Sequence, residues 1–260
     1  MFQESDNRHH HADFINFLIK KFNYKSYLEI GFFEGHTYFK VDCRVKCSVD
    51  PNIGLKTYYL GVISDQTLAH QHKTPPDAGY VKYTMRPPDI HDLAIYHDAI
   101  FFNLQNNNIM GHFQKTSDDF FDEAIRGNEY GSDDIMKYDV IYVDGDHTYD
   151  VSYRDLINSL DLLSDNGVIL VDDISPPLGE ENDAQPWMSW IRLRSEREDL
   201  SMASILTGKE NHIGVIKRGS QETLDKECME KYFNVDYFNE NREFLLNIID
   251  YQELENLLAK

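Results

Sequence analysis

The sequence predicts an α/β protein built on a doubly wound, mostly parallel sheet, and three observations carry that prediction. Two apolar runs, Val140-Ile141-Tyr142-Val143 and Val168-Ile169-Leu170-Val171, have the length and β-branched content of buried parallel strands. The stretch between them has helical periodicity, with Val151, Leu156, Ile157, Leu160 and Leu163 on one face. Its other face carries Ser152, Arg154, Asp155, Asn158 and Asp161, read as solvated, and Gly167 is a plausible helix stop. Strand, crossover helix and strand form a right-handed unit whose carboxyl ends lie side by side. The same alternation recurs upstream of this unit.

A first helix carries Phe14, Ile15, Leu18, Ile19 and Phe22 at helical spacing, and His9-His10-His11 before it reads as a solvated helix start. Ser26 to Ile30 is a short strand, followed by Gly31-Phe32-Phe33-Glu34-Gly35-His36-Thr37 as a turn entering a helix. Val45 to Val49 is a second strand closing on Asp50-Pro51. Residues 53–88 show no sustained period, and their Tyr58, Tyr59, Tyr80 and Tyr83 favour a lid over a disordered insertion. A helix is expected over Asp89 to Leu104, then a short strand at His112 to Gln114. Trp187 to Arg197 reads as a helix, and Met202 to Leu206 with Ile213 to Lys217 as a closing antiparallel pair around Gly208 to Asn211. Residues 1–219 make one domain on this reading, and 220–260 a helical appendage. The appendage's apolar stripe, from Phe244 to Leu258, suits a docked helix or a homo-oligomer contact.

Composition narrows the partners. A formal charge of −20 repels polyphosphates and argues against a nucleic-acid substrate. Cys43, Cys47 and Cys228 make neither a disulfide framework nor a CxxC motif, which fits reduced packing residues. The N-terminus lacks a signal-peptide pattern and no run approaches a membrane span, so a cytoplasmic protein with no membrane partner is expected.

The chemistry-bearing residues fall at the strand ends. Gly31 and Gly35 are spaced Gly-x-x-x-Gly between a strand and a helix, where backbone can approach a ligand but where the dinucleotide fingerprint is absent. Glu29, just before the turn, would repel a phosphate and attract an ammonium or sulfonium. Asp50 follows 21 residues later, where an acidic side chain grips ribose hydroxyls in such sheets. A nucleoside without phosphates is the implied ligand. Asp144-Gly145-Asp146-His147 and Asp172-Asp173 end the two central strands, with 28 residues from Asp144 to Asp172. Asp144, Asp172 and Asp173 brought together would repel one another unless a cation held them, and oxygen ligands suit Mg²⁺, Mn²⁺ or Ca²⁺ over zinc. His147 or Asp146 is then the candidate base for a substrate hydroxyl. Each signal has a plain structural counterpart: Asp-Asp as a helix cap, His147 packed under Tyr149, a generic glycine turn.

Taken together, Leu28 to Thr37, Ser48 to Pro51, Thr116 to Phe121, Val143 to Tyr149 and Gly167 to Asp173 resemble, in chain order, the landmarks of class I S-adenosylmethionine-dependent methyltransferases. The nearest likeness is to small-molecule and sugar O-methyltransferases with an Asp-Gly-Asp-His-x-Tyr signature. The resemblance covers about residues 25–217, outside the insertion and the tail. It implies a Rossmann-like, seven-stranded, mostly parallel sheet with a final antiparallel hairpin. It also implies that Glu29, Gly31 and Gly35 line the methionine end, that Asp50 holds the ribose and that Ser117 and Asp118 lie near the adenine. The resemblance further implies that Asp144 serves both cofactor and metal, that Asp172 and Asp173 complete a Mg²⁺ (or Mn²⁺) site, and that the acceptor is a hydroxylated small molecule such as a sugar. His147 stands where catechol enzymes carry a lysine base and Asp173 where they carry asparagine, which favours the sugar type. Two other classes compete: a binding or scaffold protein that retains the fold, and a metal-dependent hydroxylase or oxidoreductase on a similar fold. The intact acidic set opposes the first, and the absence of both a dinucleotide turn and a two-histidine, one-carboxylate triad opposes the second.

Overall fold

A computed structural model describes residues 10–33, 35–52, 99–104, 108–126, 136–207 and 212–259. Helix α1 spans His10–Phe22 and leads into β1, Ser26–Ile30. After the glycine turn comes a single 3-10 turn, Tyr38–Lys40, where a longer helix was expected, and then β2, Val45–Val49. The strands β3, Ala99–Leu104, and β4, Asn108–Phe113, precede helix α2, Ser117–Arg126. Strand β5, Tyr138–Val143, helix α3, Tyr149–Leu162, and strand β6, Leu163–Val171, form the central crossover unit. Helix α4, Pro186–Glu196, and the strands β7, Leu200–Leu206, and β8, His212–Arg218, complete the sheet. Four short helices follow: α5, Met229–Tyr232, α6, Val235–Glu240, α7, Arg242–Leu246, and α8, Tyr251–Leu258.

The sheet runs β3-β4-β2-β1-β5-β6-β8-β7. The five strands from β4 to β6 are parallel, and β8 and β7 close one side antiparallel, as the sequence implied. The other side carries an eighth strand, β3, antiparallel to β4. Sequence periodicity predicts a helix over Asp89 to Leu104; the part that is described is a strand, because Ala99 to Leu104 finds a full ladder partner in β4. The tyrosines of the 53–88 segment and the turn from Gly208 to Asn211 lie outside the described residues.

Two further differences have physical causes. Helix α3 ends at Leu162 rather than at Gly167, because residues from Leu163 onward already pair with β5. Gly167 instead permits close packing: a Cβ there would sit 2.9 Å from the Asp139 carbonyl oxygen and 2.8 Å from Leu163 Cδ1. The presumed solvated face of α3 is also partly buried, since α2 and α4 cover it. Ser152 meets Ser189 of α4 at 2.5 Å between hydroxyls, small side chains that let the two helices approach closely. Asp155 is buried outright.

Apolar side chains fill both faces of the sheet. Leu28, Ile141, Ile169 and Ile216 belong to one cluster with Trp187 and Trp190 of α4. Val140, Tyr142, Val168 and Val215 belong to the other, with Phe14, Ile15 and Leu18 of α1. The segment after residue 219 enters both clusters, through Tyr232, Phe238, Leu245 and Leu246 in the first and Leu254 and Leu258 in the second. It also covers the sheet edge, because Ser204 of β7 donates its N–H to the Asn247 carbonyl and accepts from the Ile249 N–H. Among the described residues, no helix is long and apolar enough to cross a membrane.

Candidate active site

The order β4-β2-β1-β5-β6 reverses direction between β1 and β5, which opens a crevice at the carboxyl ends of these strands. The parallel ladder runs one step past each strand and fixes what stands there. Asp50 N–H donates to the Phe113 carbonyl, Gly31 to Val49, Asp144 to Ile30 and Asp172 to Val143, at 2.9 to 3.1 Å. Four residues singled out in the sequence are therefore held in one row by backbone hydrogen bonds. A cleft of about 610 Å³ opens above them, lined by Gly31, Asp50, Ser117, Asp118 and the run from Asp144 to His147, among others. That volume suits a nucleoside-sized ligand.

Gly31 is the tightest point of the row. Its φ is +91°, and a Cβ would lie 1.9 Å from the Asp144 carbonyl oxygen. Gly35, at φ +72°, packs instead against Phe32 and Phe39, away from the cleft lining. Asp50 organises the turn from the next strand. Its Oδ2 accepts from the Phe32 and Phe33 N–H groups at 2.9 and 3.0 Å, and its Oδ1 from Asn52 N–H at 2.7 Å. Three of about four acceptor positions on a carboxylate are thus filled, which leaves room for one ribose hydroxyl at Oδ1 rather than a grip on two.

Glu29 does not line the cleft. It is buried on the α1 face, takes a hydrogen bond from the Tyr27 hydroxyl, and burial raises its pKa well above the ordinary carboxylate range. Buried beneath the turn and engaged by Tyr27, it does not present its carboxyl to the cleft.

At the other end of the row the acidic residues divide into two groups. Asp144, His147 and Asp173 each offer a ligand atom, and these atoms lie within 4.8 Å of one another. His147 Nε2 is 3.5 Å from Asp144 Oδ1, and its Nδ1 is 3.1 Å from Asp173 Oδ2. Asp173 reaches this position from a left-handed backbone, φ +52°, which aspartate tolerates better than most residues. The hydrogen bond to Asp144, opposed by burial and aided by the charge of Asp173, raises the His147 pKa to about 9. Burial, then the charge of Asp172, raises that of Asp144 to about 6.

Asp172, expected as the third metal carboxylate, is turned to different partners. Its Oδ2 accepts from the Tyr142 hydroxyl at 2.6 Å and lies 3.2 Å from His11 Nδ1. Burial alone would raise its pKa, but the His11 charge and these hydrogen bonds hold it below the ordinary range. His11, read from the sequence as solvated, is thus the partner that α1 supplies to the acidic edge. No local signal in the sequence announces it, because the contact spans 161 residues. The candidate ligand set accordingly exchanges Asp172 for His147.

The remaining residues are placed as follows. Asp146 accepts from Thr148 N–H at 2.8 Å, and the hydrogen bonds from Thr148 hold its pKa low. Ser117 opens α2, and Asp118 beside it is paired with Arg154 at 2.9 Å. A buried carboxylic acid, Asp155, also borders the cleft, where sequence periodicity had assigned it to a solvated face.

No curated protein matches the sequence. Among solved structures, the chain is similar to the O-methyltransferase from Bacillus cereus in complex with SAH, at 11% identity, with 84% of each chain covered and a TM-score of 0.51. It is also similar to the O-methyltransferase TomG from Streptomyces achromogenes, in complex with SAM, at 12% identity over 80% of this chain and 79% of that one, with a TM-score of 0.48. At 11% identity the likeness to the first of these is one of fold alone. The sequence itself matches the methyltransferase domain family over residues 28–174, a span that holds the glycine turn, Asp50 and both acidic clusters, and since this is more than half of the chain, the protein belongs to the methyltransferase domain family.

Proposed function

We propose that the protein transfers a methyl group from S-adenosylmethionine to a hydroxyl of a small molecule such as a sugar, with a divalent cation held by Asp144, His147 and Asp173. The observation that carries this reading is the backbone-registered row of Gly31, Asp50 and Asp144 at the switch point, with the three-ligand cluster at one end of the same cleft. Gly31 lets the turn pack directly on the Asp144 backbone at the cleft floor, and the remaining acceptor position of Asp50 takes a ribose hydroxyl.

The donor set fits a divalent ion, since two carboxylates and an imidazole have ligand atoms within 4.8 Å. An imidazole among carboxylates suits Mn²⁺ better than Mg²⁺, which prefers oxygen alone. When bound, such an ion lowers the pKa of a substrate hydroxyl and orients it. S-adenosylmethionine supplies the electrophilic methyl group. The hydroxyl oxygen forms a bond to the methyl carbon as the carbon–sulfur bond breaks, and the sulfur leaves as a neutral thioether. The hydroxyl proton passes to Asp146, which lines the cleft beside the cluster. Because Asp146 is held below the ordinary carboxylate range, it is a weak base, so it needs an acidified hydroxyl and its work is coupled to the cluster.

The test is methyl transfer from labelled S-adenosylmethionine to a panel of sugars and catechols, with Mn²⁺ and with chelator. Label in a hydroxylated product, lost on chelation and in Asp173→Ala, is expected. Transfer that persists unchanged with chelator would remove the cation from the mechanism, and label in no acceptor, despite cofactor binding, would favour the scaffold class.

A further inference from the structure

The family match stops at residue 174, immediately after Asp173, so the chain that secures this end of the cation cluster lies beyond it. The loop that follows β6 connects two of the three proposed ligands. It leaves from Asp173, whose backbone is left-handed, and ends at Gln185, whose N–H donates to the His147 carbonyl at 2.9 Å. The Gln185 side chain holds the same turn, because its Oε1 accepts from the Tyr149 N–H at 3.0 Å. Asp173 and His147 are therefore coupled through residues 174–185.

Two residues of the C-terminal segment grip that loop between its ends. Arg242, at the start of α7, donates from Nη1 to Ser175 Oγ at 3.1 Å. Its Nε and Nη2 donate to Asn239 Oδ1 of α6 at 2.9 and 2.6 Å. Asn239 Nδ2 in turn donates to Glu181 Oε1 at 2.8 Å. Glu181 is 3% exposed, and the Arg242 guanidinium, 3.7 Å away, is the cation paired with it. Its other carboxylate oxygen accepts from Gly179 N–H at 2.8 Å, and its backbone carbonyl accepts from Trp187 Nε1 at 3.0 Å, so one buried acid gathers the loop around itself. A buried carboxylate stripped of its cation is strongly destabilising, which keeps Arg242 in place.

We infer that Arg242 and Asn239 are positioning residues of the cation cluster, which latch the loop from Asp173 to Gln185 and so set where Asp173 stands relative to His147. The inference rests on the cation reading of that cluster. A left-handed backbone at a residue other than glycine persists where its surroundings over-determine it. The core fixes the next residue, the fully buried Ile174, and the latch fixes Ser175 after it. Docking of the C-terminal segment is served by other ties. Asn247 Nδ2 donates to the Met202 carbonyl on β7, and Arg194 Nη1 of α4 donates to the Phe244 and Leu245 carbonyls, all at 2.8 Å.

The experiment measures Mn²⁺ and S-adenosylhomocysteine binding by calorimetry, and amide hydrogen exchange without ligand, in the wild type, Arg242→Met and Asn247→Gly. Asn247→Gly keeps a residue suited to the left-handed φ of +50° and removes a docking tie that does not touch the loop. Arg242→Met should weaken Mn²⁺ about tenfold, the usual effect of losing an outer support of a metal site, and leave S-adenosylhomocysteine affinity unchanged. Exchange in residues 174–185 should rise in the same variant and not in Asn247→Gly. If Arg242→Met fails to fold because Glu181 is left buried and unpaired, the double variant Arg242→Met with Glu181→Gln takes its place. Wild-type Mn²⁺ affinity in the unlatched protein overturns the inference, as does an equal loss for both ligands or an equal loss of Mn²⁺ in Asn247→Gly, since each is the mark of a merely structural tie. If the wild type itself binds no Mn²⁺, the cation reading has failed, and the inference with it.

Discussion

Replacing Gly31 with alanine tests the registered row at its tightest point. The new Cβ would lie 1.9 Å from the Asp144 carbonyl oxygen and 2.5 Å from its carbonyl carbon, both backbone atoms that cannot rotate aside. Reaching the 3.0 Å below which real Cβ contacts are essentially never found requires a displacement of about 1 Å. The Asp144 N–H to Ile30 carbonyl bond, now 2.9 Å, would not survive that shift. Its loss costs about 1 kcal/mol, and the left-handed φ adds about 1 to 2 kcal/mol for a residue with a Cβ. The expected total is about 2 to 3 kcal/mol. Gly179 is the internal control, because its φ is +93° and a Cβ there meets nothing within 4 Å. Gly179→Ala should therefore cost the backbone strain alone, about 1 to 2 kcal/mol. Urea unfolding of both variants measures the difference. Transfer activity should also fall by about 100-fold in Gly31→Ala, because a shift of about 1 Å in Asp144 misplaces one ligand of the cation cluster. Equal destabilisation by the two substitutions, or full activity in Gly31→Ala, would refute the close-approach argument.

Two pH-dependent outcomes follow from the same geometry. With the His147 pKa raised to about 9, a cation in the cluster competes with a proton. Mn²⁺ affinity should rise roughly tenfold per pH unit from pH 6 towards about 9 and then level, as read by calorimetry with proton release; in His147→Gln the slope should flatten. His112, buried against Phe32 and Tyr38 under the glycine turn, has its pKa lowered to about 3 by burial and by the charge of Lys46. Below pH 6.5 the unfolded chain takes up a proton that the folded chain refuses, so this stability is present above pH 6.5 and is lost as pH falls towards 3. The loss is about 2 kcal/mol at pH 5. His112→Asn should flatten the pH dependence of the urea midpoint by that amount relative to wild type, and parallel profiles for the two proteins would contradict the assignment.

Much of the fold was legible because parallel strands buried on both faces leave continuous apolar runs, and because acidic residues cluster where those runs stop. Asp50, Asp144 and Asp172 could be placed at strand ends from the chain alone for that reason. What failed was anything decided by contact between distant segments. Strand β3 depends on its partner β4, not on its own periodicity, and was read as helix. The burial of Asp155 and Ser152 depends on α2 and α4 covering a face that looks polar in isolation. The division of the acids is the clearest instance: spacing brought three aspartates to one edge, but His11, far away in sequence, takes Asp172 aside and leaves His147 to complete the cluster. The glycines divide similarly, since Gly31 and Gly35 share a motif but only Gly31 meets the cleft.

The central claim is that the cleft over Gly31, Asp50 and Asp144 binds S-adenosylmethionine and its product. Calorimetric titration of S-adenosylhomocysteine into the wild type and into Asp50→Ala tests it most directly. Saturable one-to-one binding by the wild type, weakened at least about tenfold in Asp50→Ala through the lost ribose contact and the loosened glycine turn, is the predicted result. Wild-type protein that takes up no S-adenosylhomocysteine, or binds it with the same affinity as Asp50→Ala, would contradict it.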